Sequence, residues 1–254
     1  MAKHLKERLD VLLVELGFAP TRHKAQAMII AGCVLINNIP VDKAGALVPI
    51  NSDIRLRGLP MRFVSRGGEK IDPAFLHFNI DLTDVIAIDV GASTGGFTDC
   101  MLQRGAKTVY AVDVGHHQLD SRLRQDKRVI VMEQTHARDL LPEMFNPKPS
   151  FAVMDVSFIS VRKVLSYVCA VLDHSAAFSL LILVKPQFEL EPQYVSKGGV
   201  IKEEAHQMLA VGLVKESLEK QLGLSVYGEF KSPVKGVRKG NQEYFVFAGL
   251  NAQQ

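Results

Sequence analysis

The chain has 254 residues, of which 47% are hydrophobic and 22% charged, a balance typical of a globular protein with a sizeable core. Its longest strongly apolar stretch, residues 176–184, is far shorter than the roughly 20 residues that span a bilayer, and the charged opening lacks an apolar signal region. These two features predict a cytoplasmic protein. The three cysteines form no Cys-x-x-Cys pair, which argues against a zinc site or a disulfide framework.

The net charge of +3 is unevenly distributed along the chain. Residues 1–70 carry +5, whereas the remainder carries −2. A basic first segment on a nearly neutral body predicts a polyanionic partner, most simply a nucleic acid.

The sequence predicts two helices between Leu5 and Ala31. Leucines recur at helical spacing from Leu5 to Leu16, and Gly17 ends the pattern. Thr21 can cap a second helix that continues to Ala31.

Short strands follow these helices. Residues 34–36, the turn signal Asn37-Asn38 and residues 39–41 predict a hairpin, and residues 53–57 predict a further strand. The pattern changes near residues 58–60, so the sequence predicts a small α+β unit that ends there.

The rest of the chain alternates strands with helices, which predicts an α/β fold with a doubly wound, largely parallel sheet. Strands are predicted at residues 85–90, 108–113, 129–133, 151–155, 178–184, 224–230 and 243–248. Helices are predicted at residues 96–103, 117–124, 161–172 and 203–222.

A glycine-rich segment, Asp-Val-Gly-Ala-Ser-Thr-Gly-Gly-Phe at residues 89–97, lies at the first strand-to-helix turn. A phosphate-binding loop would end in Gly-Lys-Ser or Gly-Lys-Thr, and a dinucleotide loop would have Gly where Ser93 stands. An S-adenosylmethionine loop needs no phosphate cradle and fits the segment. A tight turn without a ligand is the remaining interpretation.

Asp113 ends the next predicted strand, 22 residues after Gly91. An acidic side chain at this place can bind ribose hydroxyls. Because NAD-dependent enzymes use the same device, Asp113 alone does not distinguish between the two cofactors.

Charged side chains stand at the carboxyl ends of several predicted strands, where such sheets bind ligands. Lys185 closes a very apolar strand and precedes Pro186, so it could be a general base or a lysine that reaches out to solvent. Asp155 could orient Lys185 or the cofactor, or cap a helix. Lys70 and Glu243 could equally be solvated surface charges.

Four segments stand out together: Ser-Arg-Gly-Gly-Glu-Lys at 65–70, the glycine-rich loop with the Thr-Asp that follows it, Val-Met-Asp-Val-Ser-Phe-Ile-Ser at 153–160 and Val-Lys-Pro-Gln-Phe-Glu at 184–189. In combination they resemble the TlyA family, whose members are ribosomal RNA 2′-O-methyltransferases that modify cytidine and are often labelled hemolysins. Residues 4–58 resemble an S4-type RNA-binding domain. The linker Met-Arg-Phe-Val has Phe63 where the family often has Trp.

The resemblance implies a seven-stranded, Rossmann-like methyltransferase domain similar to the FtsJ-like enzymes, at residues 67–254. It further implies a small RNA-binding domain at residues 1–60 and a linker at 61–66. Its Lys-Asp-Lys-Glu tetrad maps onto Lys70, Asp155, Lys185 and Glu243. The implied S-adenosylmethionine contacts are Asp89, Gly91, Ser93, Thr94, Gly95, Gly96, Phe97 and Asp113. The implied RNA contacts are Arg8, Arg22, Lys24 and Arg66.

In the implied reaction, neutral Lys185 accepts the proton of a ribose 2′-hydroxyl as the hydroxyl attacks the activated methyl group. Asp155 and Lys70 would set the position of the hydroxyl and the basicity of Lys185. Glu243 would hold the network in place. No metal is needed. The implied partners are ribosomal RNA or ribosomal subunits, with no membrane and no obligate protein partner.

Two other functions are weighed against this one. A membrane-damaging hemolysin would need a spanning segment or a long basic amphipathic stretch, and the sequence has neither. An RNA-binding ribosome assembly factor without catalysis would bind RNA but transfer no methyl group.

Overall fold

The computed structural model describes residues 5–57, 62–196, 198–234 and 240–250. Its N-terminal unit combines two helices with short strands: β1 pairs with β4, and β5, β2 and β3 form a three-stranded antiparallel sheet. The elements are β1 (Lys6–Arg8), α1 (Leu9–Glu15), α2 (Arg22–Ile30), β2 (Val34–Ile36), β3 (Ile39–Pro40), β4 (Leu47–Pro49) and β5 (Ile54–Leu56).

This unit has a hydrophobic core of its own, which includes Leu9, Leu13, Ile29 and Val34. The prediction that the first helix includes Leu5 is wrong. The chain before Leu9 is extended because β1 pairs with β4, and Leu5 is 59% exposed. The predicted boundary near residues 58–60 lies outside the described residues.

A seven-stranded sheet forms the larger unit, as the sequence predicts. Its strand order is β8-β7-β6-β9-β10-β12-β11, and β12 runs antiparallel to both of its neighbours. The strands are β6 (Ile86–Val90), β7 (Thr108–Val112), β8 (Val129–Met132), β9 (Phe151–Met154), β10 (Phe178–Val184), β11 (Ser225–Lys231) and β12 (Tyr244–Leu250).

Helices cover this sheet, and its apolar residues fall into two buried clusters. One cluster includes Ile88, Met154 and Ile182. The other includes Ala87, Val153 and Leu181. Neighbouring residues of a strand point to opposite faces, so the sheet is buried on both. The helices are α3 (Arg66–His77), α4 (Gly96–Gln103), α5 (Ser121–Gln125), α6 (Leu165–Ala170), α7 (Pro186–Glu189) and α8 (Glu204–Glu216).

Three predicted helices are shorter than expected. The helix predicted at 161–172 is α-helical only at Leu165–Ala170, after a 3-10 turn at Val161–Lys163. The helix predicted at 117–124 begins only at Ser121, because the backbone N–H groups of His117, Gln118 and Leu119 donate to the Glu133 carboxylate instead of to a helix. The helix predicted at 203–222 ends as α8 at Glu216 and continues as the π-helix Ser217–Gln221.

The strand order reverses between β6 and β9. In open sheets of this kind, ligands bind beyond the carboxyl ends of the strands at such a switch point. The glycine-rich loop follows β6 and Asp155 follows β9, so the fold brings both to the place where a ligand is expected. Within the described part of the chain, no helix is long and apolar enough to cross a membrane.

Candidate active site

The glycine-rich loop depends on glycine at two positions. Gly91 has a φ of +88°, and a Cβ there would stand 2.5 Å from the backbone oxygen of Asp155. Gly95 has a φ of +92°, and a Cβ would stand 2.2 Å from Cδ1 of Leu123. Both values are far inside van der Waals contact, so only glycine lets the loop lie against β9 and α5.

The remaining loop residues hold the start of α4. A Cβ at Gly96 would stand 2.2 Å from Ser65 Oγ, so α4 begins in close contact with the residue that caps α3. Phe97 is buried in the core near Phe245, with the ring centroids 6.1 Å apart. The Thr94 carbonyl accepts a hydrogen bond from the backbone of Asp120. These contacts give each of the three residues a structural role. Cofactor contact by Thr94, Gly96 and Phe97 stays a prediction.

Asp113 directly follows β7 and is hydrogen-bonded to the glycine-rich loop. Its Oδ2 accepts a hydrogen bond from the Ser93 backbone N–H at 2.8 Å, and its Oδ1 accepts one from the Gly115 backbone at 2.7 Å. Each carboxylate oxygen can accept more than one hydrogen bond. Asp113 therefore keeps the capacity to accept from ribose hydroxyls while its own orientation is fixed.

A cavity of about 640 Å³ opens at the switch point; we call it the cofactor cavity. It is lined by residues that include Gly91, Ser93, Asp113, Gln118, Asp155 and Ile159. Its volume lies in the range of roughly 300–1,000 Å³ that is usual for small-molecule sites, and its lining mixes apolar side chains with a few polar groups.

Asp89 lies in β6 beneath the loop and is fully buried. Its Oδ2 accepts a hydrogen bond of 2.6 Å from the Thr98 hydroxyl. Burial raises the pKa of Asp89 to about 7, although the Thr98 hydrogen bond opposes the rise. Asp89 does not line the cofactor cavity, so its direct contact is with α4, and a cofactor contact stays a prediction.

Two ion pairs stand side by side at the carboxyl edge of the sheet. Lys185, after β10, places Nζ 2.5 Å from Oδ1 of Asp155, after β9. Lys70, on α3, places Nζ 2.7 Å from Oε2 of Glu243, which directly precedes β12. The structure thus brings together all four predicted tetrad residues, which are far apart in the sequence.

The electrostatics of these pairs favour charged forms for two of the side chains. Burial alone would lower the pKa of Lys70, but the attraction of Glu243 and Asp155 outweighs it and raises the pKa. Burial alone would raise the pKa of Asp155, but Lys185 and Lys70 outweigh it and lower the pKa. Lys70 is therefore held as an ammonium and Asp155 as a carboxylate.

Ser157 is a site residue that the sequence analysis missed. Lys185 Nζ donates a hydrogen bond of 2.6 Å to Ser157 Oγ, and Ser157 also lines the cofactor cavity. Only its position two residues after Asp155 could have drawn attention to it, because the contact with Lys185 depends on the pairing of β9 and β10.

A second cavity, of about 300 Å³, also opens at Asp155; we call it the seam cavity. Its lining includes Phe18, Ser52, Arg66, Lys70, Phe97 and Asp155. Gly91, Ser93 and Asp155 line both cavities, so the two meet beside the ion pair of Asp155 and Lys185.

His116, His117 and Glu133 bring possible metal-ligand atoms within 4.8 Å of one another. The Glu133 carboxylate already accepts three backbone N–H groups and the Arg124 guanidinium, which lower its pKa to about 2 against the opposing effect of burial. These bonds account for Glu133 as a support for the loop before α5.

The predicted RNA contacts fall into two places. Arg8 and Arg22 both bond to Asp10, which is fully buried, while 44% and 54% of their own side chains stay exposed. Lys24 is exposed near the start of α2. Arg66 lies apart from them, at the seam cavity. The role of these four side chains in RNA contact stays a prediction.

The sheet order, the glycine-rich loop and the four converging charged side chains define a protein of the Rossmann-like methyltransferase class. The model of FtsJ-like methyltransferases matches residues 63–250, and the S4 domain model matches residues 7–54. The chain belongs to the FtsJ-like methyltransferase family and, within it, to the TlyA proteins.

Named relatives place the chain within that group. It is 38% identical over 243 residues to the 16S/23S rRNA (cytidine-2′-O)-methyltransferase TlyA of Mycobacterium tuberculosis, which covers 95% of this chain and 89% of the relative. It is 41% identical over 240 residues to hemolysin A of Brachyspira hyodysenteriae, covering 93% and 97%. A solved structure from Streptococcus thermophilus, named as a candidate hemolysin, is 40% identical with a TM-score of 0.78, covering 98% of this chain and 90% of that one.

Proposed function

We propose that this methyltransferase transfers the methyl group of S-adenosylmethionine to a ribose 2′-hydroxyl, that of a cytidine in ribosomal RNA. The observation that carries the proposal is the meeting of two cavities at the ion pair of Asp155 and Lys185. The cytidine and the ribosomal substrate are supported by the activity in the name of the Mycobacterium tuberculosis relative. Such a substrate would place the reaction in the cytoplasm.

The cofactor cavity fits S-adenosylmethionine in size and in the chemistry of its lining. Asp113 would accept the ribose hydroxyls of the cofactor, and the loop from Gly91 to Gly95 would lie against its amino acid part. When bound, the cofactor supplies a methyl group that is already activated by a sulfonium. The chain's own side chains then have only to position and deprotonate the hydroxyl.

Lys185 is the proposed general base. Its ammonium donates a hydrogen bond to Ser157 and forms an ion pair with Asp155. In the neutral form, Nζ offers a lone pair that can take the proton of a 2′-hydroxyl approaching from the seam cavity. The pKa of Lys70 is raised, because the attraction of Glu243 and Asp155 outweighs burial, so Lys70 stays charged. It can attract the developing negative charge on the hydroxyl oxygen, while Glu243 holds it in place.

The N-terminal unit is the proposed RNA anchor. Arg8 and Arg22 present exposed guanidinium groups whose other sides are fixed by buried Asp10, and Lys24 adds a third positive charge nearby. We place the RNA-binding domain at residues 1–60, the linker at 61–66 and the catalytic domain at 67–254, a division supported in outline by the two family matches.

The proposal is tested by methyl transfer from labelled S-adenosylmethionine to purified small and large ribosomal subunits, followed by mapping of the label. We expect label on the 2′-oxygen of one or a few cytidines. Label on a base, or none on either subunit together with leakage of liposomes by the purified protein, would contradict it.

A further inference from the structure

Glu189 is a buried carboxylate that the proposed mechanism does not use. It ends α7, four residues after Lys185, and only 2% of its side chain is exposed. Carboxylates are seldom buried unless several donors surround them, because removal from water is costly for a charged group. The partners of Glu189 therefore indicate its role in the molecule.

The donors seen at Glu189 among the described residues come from the end of one segment, residues 155–160, and from the turn that follows it. Ser160 Oγ donates to Oε2 at 2.6 Å, and the Val161 backbone N–H donates to Oε1 at 2.8 Å. Arg162 Nε donates to Oε2 at 3.1 Å, and Arg162 Nη2 donates to the Glu189 carbonyl at 3.0 Å. Bonds from a hydroxyl or a guanidinium to a carboxylate are among the strong ones. Glu189 therefore fixes the end of this segment to α7.

The segment fixed in this way is a wall of the cofactor cavity. Residues 155–159 all line that cavity, and they form an irregular connection between β9 and the 3-10 turn at Val161–Lys163. Phe158 has a φ of +67°, a left-handed backbone conformation that a bulky side chain rarely adopts. Such a conformation persists only where the surrounding structure holds it. The segment therefore needs anchors at both of its ends to keep this shape.

The same segment carries the partners of Lys185. Asp155 lies at its start and pairs with Lys185, and Ser157 accepts a hydrogen bond of 2.6 Å from Lys185 Nζ. Lys185 and Glu189 lie on one helical turn, in which the Phe188 N–H donates to the Lys185 carbonyl at 2.9 Å. The run that follows β10 thus holds the segment near its start through Lys185 and at its end through Glu189.

We propose that Glu189 is a positioning residue for methyl transfer, which fixes the segment 155–160 so that the Ser157 hydroxyl stays at Lys185 Nζ. The inference rests on the proposed function, in which Lys185 takes the proton of the ribose hydroxyl. A carboxylate suits this role because it only accepts hydrogen bonds, and it meets three donors here. Glutamine has nearly the same size, but its NH2 group would face at least one of these donors.

The test measures single-turnover methyl transfer to ribosomal subunits with the full-length protein at saturating S-adenosylmethionine, so that weaker cofactor binding does not affect the rate. We expect Glu189→Gln to lower this rate about tenfold, because a displaced base reacts slowly, while subunit affinity stays near normal. The matched control is Glu143→Gln, which removes the same charge from an exposed site of the catalytic unit and should change neither value.

The double variant that combines Ser157→Ala with Glu189→Gln separates positioning from a merely structural role. If Glu189 acts through Ser157, its loss has no further effect once the Ser157 hydroxyl is gone. The double variant should then be slowed about tenfold, as each single variant is, whereas independent effects would multiply to about a hundredfold.

Thermal unfolding is measured for each variant, because the change at a buried carboxylate could destabilise the catalytic unit. If Glu189→Gln does not fold, Ser160→Ala decides in its place, since it removes a single bond of the same anchor. It should lower the rate several-fold, and it should not slow Ser157→Ala further. A folded variant with an unchanged rate at saturation, or a double variant whose effects multiply, overturns the inference. A wild type that labels no ribose at all instead contradicts the proposed function.

Discussion

At the residue scale, the two lysines of the site differ in their surroundings. Lys70 pairs with Glu243 and has a raised pKa, whereas Lys185 bonds to Asp155 and to the neutral hydroxyl of Ser157. Both lysines are therefore paired with a carboxylate, but Lys185 alone also donates to a hydroxyl that lines the cofactor cavity. This difference is the reason for assigning the base to Lys185.

Ser157 should act as a positioning residue for Lys185. We expect Ser157→Ala to lower the single-turnover rate about tenfold, less than the roughly 10²–10⁴-fold that loss of a general base costs. Ser157→Thr keeps the hydroxyl and should restore most of the rate. The matched control is Ser225→Ala, at an exposed residue of β11. A defect confined to cofactor affinity, with a normal rate at saturation, would argue against this role.

Asp89 should make stability depend on pH. Because its pKa is raised in the folded state, the folded chain binds a proton that the unfolded chain releases at lower pH. Its contribution is complete below about pH 4 and is lost as the pH rises through about 7. Between about pH 5 and about pH 7, the unfolding free energy of Asp89→Asn should therefore gain up to about 2 kcal/mol relative to the wild type.

Denaturant unfolding at several pH values measures this effect. The exposed carboxylate of Asp84 provides the control, because Asp84→Asn makes the same chemical change without burial. Parallel pH profiles for the Asp89→Asn variant and the wild type would mean that Asp89 is not protonated in the folded chain.

At the scale of elements, the N-terminal helix pair should bind RNA mainly through its charges. Lys24 allows a clean test, because its side chain takes part in no hydrogen bond or ion pair seen within the described residues. Lys24→Gln should reduce the slope of log affinity against log salt concentration by about 0.7–0.9, the value for one lost phosphate contact. The control is Lys127→Gln, which removes an exposed charge from the catalytic unit. Equal slopes for the wild type and Lys24→Gln would exclude a contact between Lys24 and an RNA phosphate.

Long and regular elements could be predicted from the sequence, whereas short or atypical ones could not. The apolar run of β10 and the glycines after β6 have strong local patterns. Helix α3 is not predicted although Ile71, Ala74 and Phe75 recur at helical spacing, because Gly67, Gly68 and Pro73 lie within it and disfavour a helix in isolation. It forms because its buried face packs against α4 and the core. The three-residue strands β1 and β4 exist only as partners of each other.

At the scale of the whole molecule, the two units have separate hydrophobic cores. A chain that lacks residues 1–60 should therefore fold and bind S-adenosylmethionine with nearly normal affinity. Its methylation of ribosomal subunits should fall at least tenfold, because the RNA anchor and one wall of the seam cavity are lost. Calorimetry and labelled methyl transfer measure the two properties, and normal methylation by the shortened chain would disprove the division of labour.

The site could be predicted in part because its residues stand at strand ends. The pairing of β9 with β10 makes Asp155 and Lys185 neighbours, and the sheet pattern alone allowed that expectation. The seam cavity could not be foreseen, since it depends on how the N-terminal unit lies against α3 and the glycine-rich loop. No local pattern in residues 51–54 indicates that contact.

The central claim is that Lys185 acts as the base. The most direct test is single-turnover methyl transfer to ribosomal subunits by the wild type, Lys185→Ala and Lys185→Arg, with cofactor and subunit affinities measured alongside. Both variants should lose roughly 10²–10⁴-fold in rate while both affinities stay near normal, because arginine keeps the charge but cannot accept a proton. If Lys185→Arg retains most of the rate, Lys185 supplies positive charge and not basicity, and the account is contradicted.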